Sequence, residues 1–163
     1  MSIPEVGKKI RVTVPSTTAN LGPGFDCLGA ALDLYNEFIF TRIEGDGDRF
    51  DLIMESTDGN HLRGGPENLV FRAAQKVWES ANMTSFALEA RVKLAVPPAR
   101  GLGSSATAIV AGLIGANAIM DSPLSKEKLL ELAIDIEGHP DNVVPSLLGG
   151  LCLTARTLSL IHI

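Results

Sequence analysis

Pro97-Pro98-Ala99-Arg100-Gly101-Leu102-Gly103-Ser104-Ser105-Ala106-Thr107 sets two glycines and two serines directly before a long run of small and apolar residues. Gly101 and Gly103 give the backbone conformations closed to residues with a Cβ and let a ligand come close to the main chain. Ser104 and Ser105 stand where a helix would begin, so unpaired N–H groups and the positive end of its dipole face the loop. Phosphate suits such a loop. For a Gly-x-Gly-Ser-Ser run taken alone, the plainer alternative is a turn capped by Ser104 in front of a core helix.

Working outward, Phe86, Leu88, Ala90, Val92, Leu94 and Val96 alternate with polar residues, which predicts a strand entering the loop, and a small-residue helix over 104–119 leaves it. A first strand over 10–14 is stopped by Pro15, a loop covers 16–26, and strand-compatible text occupies 28–43. Residues 44–48 form a turn, 50–54 a short strand and 56–65 a loop. Leu69, Ala73, Val77 and Trp78 recur at helical spacing behind Asn68, a second amphipathic helix spans 125–136, and a last strand covers 151–154. These elements describe one α+β domain without repeats or low-complexity tracts.

The 163 residues are 45% hydrophobic and 20% charged, enough to bury a core. A net charge of −5 and a pI near 5.1 offer no general attraction to nucleic acid or anionic membranes, so phosphate binding must come from local geometry. Lys126, Glu127, Lys128, Glu131 and Asp135 break up the helical text, and no apolar run reaches membrane-spanning length. Cys27 and Cys152 match no metal-binding or Cys-x-x-Cys spacing and read as reduced thiols. With no signal-peptide core or transit character over 1–9, a cytoplasmic protein is expected.

Two further constellations bear on the loop. Pro15-Ser16-Thr17-Thr18-Ala19-Asn20-Leu21-Gly22-Pro23-Gly24-Phe25-Asp26 combines glycines with Asn20 and Asp26. Those two residues are either turn-formers through Asx bonds or ligand contacts, the amide offering donors and an acceptor and the carboxylate suiting an ammonium or hydroxyl. Glu131, among Leu129, Leu130, Leu132 and Ala133, is either solvated or a metal ligand. It is followed by Glu137-Gly138-His139-Pro140-Asp141-Asn142.

Together these stretches resemble the GHMP small-molecule kinases and, within them, the homoserine kinase family. The first motif is matched by 15–26, the second by 97–107, and the homoserine form of the middle region by Glu137-Gly138-His139-Pro140-Asp141-Asn142-Val143 with Pro145 and Gly149-Gly150. The resemblance spans about residues 10–156 and implies an α+β fold, with a mixed sheet and helices on one face. It implies a flexible N-terminus over 1–9, an ATP-binding domain over 10–156, and an atypical tail over 157–163. The family's ferredoxin-like second domain and third Gly-rich motif would lie beyond Ile163, so the chain is expected to be an N-terminal fragment whose activity alone is in doubt.

The resemblance also implies roles. Pro97 to Thr107 would wrap the ATP triphosphate, with Asn68 near adenine or serving as a helix cap. Ser105 and Glu131 match the Mg²⁺ ligands, while Asn20, Asp26 and Asn142 match the contacts to L-homoserine, whose hydroxyl would receive the phosphoryl group on the route to threonine. Related mevalonate kinases carry Asp where Asn142 stands, and an amide cannot take a proton, so the expected mechanism is positioning and electrostatic stabilisation rather than base catalysis. His139 is the alternative base, although a structural role before Pro140 fits better. A kinase for another small alcohol and a non-catalytic nucleotide-binding module are the competing functions. A homodimer is the family's common assembly.

Overall fold

The computed structural model describes residues 3–55, 61–64, 67–95, 101–156 and 160–162. Its elements run β1 (Lys9–Ala19), β2 (Leu28–Arg42), β3 (Phe50–Glu55), β4 (His61–Gly64), α1 (Leu69–Ser80) and β5 (Leu88–Lys93). They continue with α2 (Ser104–Ile119), α3 (Lys126–Glu137), α4 (Pro140–Leu148), β6 (Leu151–Arg156) and β7 (Leu160–His162). The alternation that predicts the strands also assigns their faces. Val12 and Val14 of β1, Phe38 and Phe40 of β2, Phe50 and Leu52 of β3, and Leu88, Ala90 and Val92 of β5 are buried. The opposite face is polar and carries the surface ion pairs Arg11–Glu37 and Arg91–Glu89. The expected mixed sheet with helices on one face is the architecture found.

β2 is the spine of the sheet. Along one edge it pairs antiparallel with β1, from Lys9 opposite Thr41 to Ala19 opposite Gly29. Its other edge is shared: Glu37 to Arg42 pair with β5, and Leu28 to Ala30 with β6, both antiparallel. β3 lies parallel to β5, and β4 and β7 add antiparallel neighbours to β3 and β6.

Pro15 does not end β1, contrary to expectation. β1 pairs on one side only, so a residue without N–H is tolerated there, and the register shifts between Pro15 and Thr17. The loop expected over 16–26 therefore begins only after Ala19. Side-chain parity changes at the same place. Even-numbered Asn36, Phe38 and Phe40 are buried on the helix side of β2, whereas farther back it is Gly29 whose added Cβ would meet the Asp141 carbonyl of α4.

Other boundaries differ as well. His61–Gly64 pair as β4 inside the expected loop over 56–65, whose remaining residues lie outside those described. His139-Pro140 opens α4, with Pro140 in the first helical turn, where its missing N–H costs nothing. Gly7 and Lys8, expected to be flexible, are tied to β2 by backbone bonds with Arg42, and Lys8 also pairs with Asp121 at 2.7 Å. Cys27 and Cys152 are free thiols, and burial pushes the Cys152 thiol above its ordinary value.

The helices stack by size. α1 buries Val70, Phe71, Ala73, Ala74, Val77 and Trp78 along one stripe, with Phe50 and Phe71 stacked at 4.7 Å and Trp78 against Phe86 at 4.9 Å. α2 is buried nearly all round, wedged between α1 and the strands β1 and β2. Close packing needs its glycines: a Cβ at Gly112 would lie 2.4 Å from the Val70 carbonyl oxygen, and one at Gly115 would lie 2.3 Å from the Phe40 ring. α3 leans on α2 and α4, while α4 covers β1, β2 and β6. Among the described residues no helix is long and apolar enough to cross a membrane.

Gly115→Ala should therefore overpack the interface between α2 and the sheet and cost about 1–3 kcal/mol. Urea unfolding would show a lowered midpoint at unchanged slope. An unchanged midpoint would mean that α2 does not bear on Phe40.

Candidate active site

The loop before α2 has the conformation its glycines predict. Gly101 and Gly103 lie at φ +71° and +63°, in the left-handed region. Gly103 rather than Ser104 is the N-cap, and no side chain caps the helix. The first intrahelical bond runs from the Thr107 N–H to the Gly103 carbonyl, so the N–H groups of Ser104, Ser105 and Ala106 precede it at the positive end of a 16-residue dipole. Pro97, Pro98, Ala99 and Arg100 lie outside the described residues.

Three separate segments meet at this end. The Thr17 N–H of β1 donates to the Leu102 carbonyl at 3.3 Å, and the Thr17 hydroxyl donates to Asn142 Oδ1 of α4 at 2.8 Å. A Cβ on Gly103 would stand 2.0 Å from Thr17 Oγ1 and 3.2 Å from Asn142 Oδ1. Gly103 is thus required twice, for its positive φ and for the closeness of its neighbours. Ala19, Asn20, Gly101 to Ser105, and Asn142 line a cleft of about 450 Å³.

Two side-chain acceptors at this cleft are engaged by neighbouring residues. Asn20 Oδ1 accepts from the Asp26 N–H at 2.9 Å, a bond that closes the loop across six residues rather than the expected Asx turn, with both residues at positive φ. Asn142 Oδ1 is taken by Thr17. The amide nitrogens of Asn20 and Asn142, the latter 3.4 Å from Asp141 Oδ1, add donors beside the helix N–H groups. The Asp26 carboxylate is exposed and lies outside the cleft lining.

Glu131 does not reach Ser105. It lies on the solvent side of α3, half-exposed and paired with Lys128 at 2.9 Å. The carboxylate beside Ser105 is Glu137, whose Oε1 accepts from Ser105 Oγ at 2.6 Å. Six residues along a helix separate Glu131 from Glu137 by about 9 Å of axis and two-thirds of a turn, so one of them can serve the loop and not both. Glu137 closes α3 immediately before Gly138, which is left-handed at φ +87°. A carboxylate at the negative end of one helix is unfavourable by itself, and here it rests against the positive end of another. The sequence clue was its position directly before the glycine, where the helix must end.

A second hollow of about 300 Å³ adjoins the first through Ser104 and Ser105. Its walls are apolar, from Phe38, Leu52, Met54, Val92 and Leu94, with Asn68 at its margin. Asn68 also caps α1, its Oδ1 accepting from the Val70 N–H at 2.9 Å. His139 is exposed at the N-cap of α4 and makes no capping bond. A wider concavity of about 660 Å³, between residues 3–8 and Asp121, shares no residue with either hollow.

The model of the GHMP kinases N terminal domain matches residues 68–150, more than half of the chain and the whole stretch from the α1 cap to Gly150. The chain belongs to the GHMP kinases. Among curated GHMP kinases, the homoserine kinase of Prochlorococcus marinus strain MIT 9301 is 96% identical over 159 residues, covering 98% of this chain and 50% of that protein. The homoserine kinase of Parasynechococcus marenigrum is 76% identical, with the same two coverages. The chain spans about half the length of the curated relatives it matches. Among solved structures, the homoserine kinase of Cytophaga hutchinsonii superimposes at TM-score 0.83 and 28% identity over 100% of this chain and 53% of that one. Methanococcus jannaschii mevalonate kinase, at 15% identity and TM-score 0.73 over 96% of this chain and 56% of that one, shares the fold.

Gly101 and Gly103 both sit at positive φ, yet a Cβ on Gly101 meets nothing within 4 Å. Thermal unfolding should show a larger drop for Gly103→Ala than for Gly101→Ala. Equal drops would mean that the close approach of Thr17 and Asn142 does not matter.

Proposed function

We propose that the chain is the nucleotide-binding half of a homoserine kinase, transferring the γ-phosphoryl group of ATP to the side-chain hydroxyl of L-homoserine. The carrying observation is the hollow itself, built from an uncapped helix N-terminus and the side-chain amides of Asn20 and Asn142. It offers donors to an acceptor-rich ligand, and a triphosphate is such a ligand. The relatives named homoserine kinase at 96% and 76% identity support this substrate over another small alcohol.

In this reading the backbone of Gly101 to Ala106 holds the phosphates, and the apolar hollow beside Asn68 takes the adenine ring. Asn20 and Asn142 turn N–H₂ groups toward substrate carboxylate and phosphoryl oxygens, while Asp26 offers its carboxylate to the homoserine ammonium. The family's cation fits the residues present: the hydroxyl of Ser105 and the carboxylate of Glu137 are hard oxygen donors 2.6 Å apart beside the phosphate loop. Bound there, Mg²⁺ supplies neutralisation of charge on the phosphate oxygens. Glu131, paired with Lys128, has no part in it.

The homoserine oxygen forms its bond to Pγ as the Pγ–O bond to ADP breaks, ADP leaving with the electron pair. The hydroxyl proton passes to a phosphoryl oxygen and then to water. A loose transition state asks for alignment and charge stabilisation, which these donors provide without a strong base. Residues 10–156 are read as one ATP-binding domain, and the exposed Phe25 (72%), Leu151 (69%) and Leu153 (52%) as surface that the other half of the enzyme covers. Two free thiols fit a reducing, cytoplasmic setting.

The test is calorimetric titration of the chain with Mg-ATP, together with homoserine-dependent ADP release by the chain joined to the second half of its 96%-identical relative. Glu137→Gln should lower turnover about 100-fold, and Glu131→Gln should leave it within about twofold. Tight Mg-ATP binding with no homoserine-dependent ADP release would replace the enzyme reading by a non-catalytic nucleotide-binding module.

A further inference from the structure

Thr17 is not among the residues that line the cleft, yet it is wholly buried where the loop before α2, β1 and α4 meet. Val12, Val14 and Ser16 are the buried residues of regular alternation in β1, and Thr17 would next point away. Instead Ser16 and Thr17 are both fully buried across the register shift, and Thr17 faces α4. Strand irregularities beside active sites commonly re-aim a side chain in this manner. Here the re-aimed group is a hydroxyl, and it spends its hydrogen on Asn142 Oδ1 at 2.8 Å.

That bond decides which end of the Asn142 amide is available. The amide nitrogen lies 3.4 Å from Asp141 Oδ1, and Asp141 is buried to 4% exposure in the first turn of α4. A carboxylate only accepts, so reversing the amide would set oxygen against oxygen on that side. Thr17 and Asp141 therefore agree on one orientation: oxygen toward Thr17 and Gly103, nitrogen toward Asp141. Gly103 stands against both members of the pair, and any Cβ there would force them apart.

We propose that Thr17 is a positioning residue that locks the Asn142 amide so that, with one Nδ2 hydrogen held by Asp141, the other is fixed as a donor to the transferred phosphoryl group. The proposal deepens the kinase reading and rests on it for the identity of the ligand, although the lock itself exists without ligand. Asn142 then lowers the cost of charge on the phosphoryl oxygens and takes no proton, so the hydroxyl proton has only phosphoryl oxygen or water to go to.

The test uses the ¹⁵N-labelled chain, with the Asn142 side-chain amide assigned by its disappearance in Asn142→Asp. Thr17→Ser, which keeps the hydroxyl, should leave the two Nδ2 proton signals distinct and in place. Thr17→Val, which keeps the bulk, should broaden or merge them and weaken Mg-ATP binding about tenfold, while Thr17→Ser stays within twofold. If Thr17→Val does not fold, Thr17→Cys, with a weak donor of similar volume, should show the same broadening. Unchanged Asn142 signals in a folded Thr17→Val or Thr17→Cys chain would overturn the proposal, as would a Thr17→Ser chain that behaves like Thr17→Val. Failure of the wild-type chain to bind Mg-ATP would instead count against the kinase reading, because the amide signals report the lock without nucleotide.

Discussion

α2 can lie in the interior only because two of its residues have no side chain. At Gly112 the helix backbone comes up against the Val70 carbonyl of α1, and at Gly115 against the face of Phe40 on the central strand. Those contacts fix the helix along its axis and about it, so its N-terminus emerges at one place, between β1 and α4. A helix held by a solvent-exposed amphipathic stripe would leave that end freer to shift. Because burial holds the other end, the N-terminus can stay uncapped and keep its N–H groups open, which a surface helix would close with a serine or aspartate.

The same placement sets what an acidic chain offers an anion at this cleft. A net charge of −5 repels them at long range, and the cleft lining described here contains no charged side chain. What remains is directional: helix N–H groups and the side-chain amides of Asn20 and Asn142. Such donors need no reorganisation when a phosphate arrives, and in a partly desolvated cleft they count for more than they would in water. The carboxylate of Glu137 is the exception at the margin, and it sits where a cation would be expected to share it with phosphate.

Much of this was legible in the residues. The strand, the Gly-Leu-Gly turn and the small-residue helix from Ser104 to Ile119 follow from local pattern, and so does Asn68 at the head of α1. What escaped depends on three dimensions. Pro15 reads as a strand stop because its missing N–H is visible in sequence while the edge position of β1 is not. Glu131 and Glu137 are both acidic residues on one helix, and only the packing of α3 against α2 tells which one faces the loop. Asn20 is open to two readings, and the structure shows both features at once: its Oδ1 closes the loop on the Asp26 N–H six residues on, and the residue also lines the cleft.

The register shift between Pro15 and Thr17 acts as a change of phase in a two-residue wave. Before it, the wave carries the core through Val12 and Val14; after it, the same strand presents Thr17 to the loop. Core and site can therefore be written on one ribbon without competing for the same positions. With unbroken alternation through 15–17, Val12 and Val14 would keep their places and the Thr17 side chain would turn to the opposite face of β1. Sequence drift that preserves the hydrophobic pattern can thus preserve the fold here and lose the bond from Thr17 to Asn142, with the difference resting on the register shift.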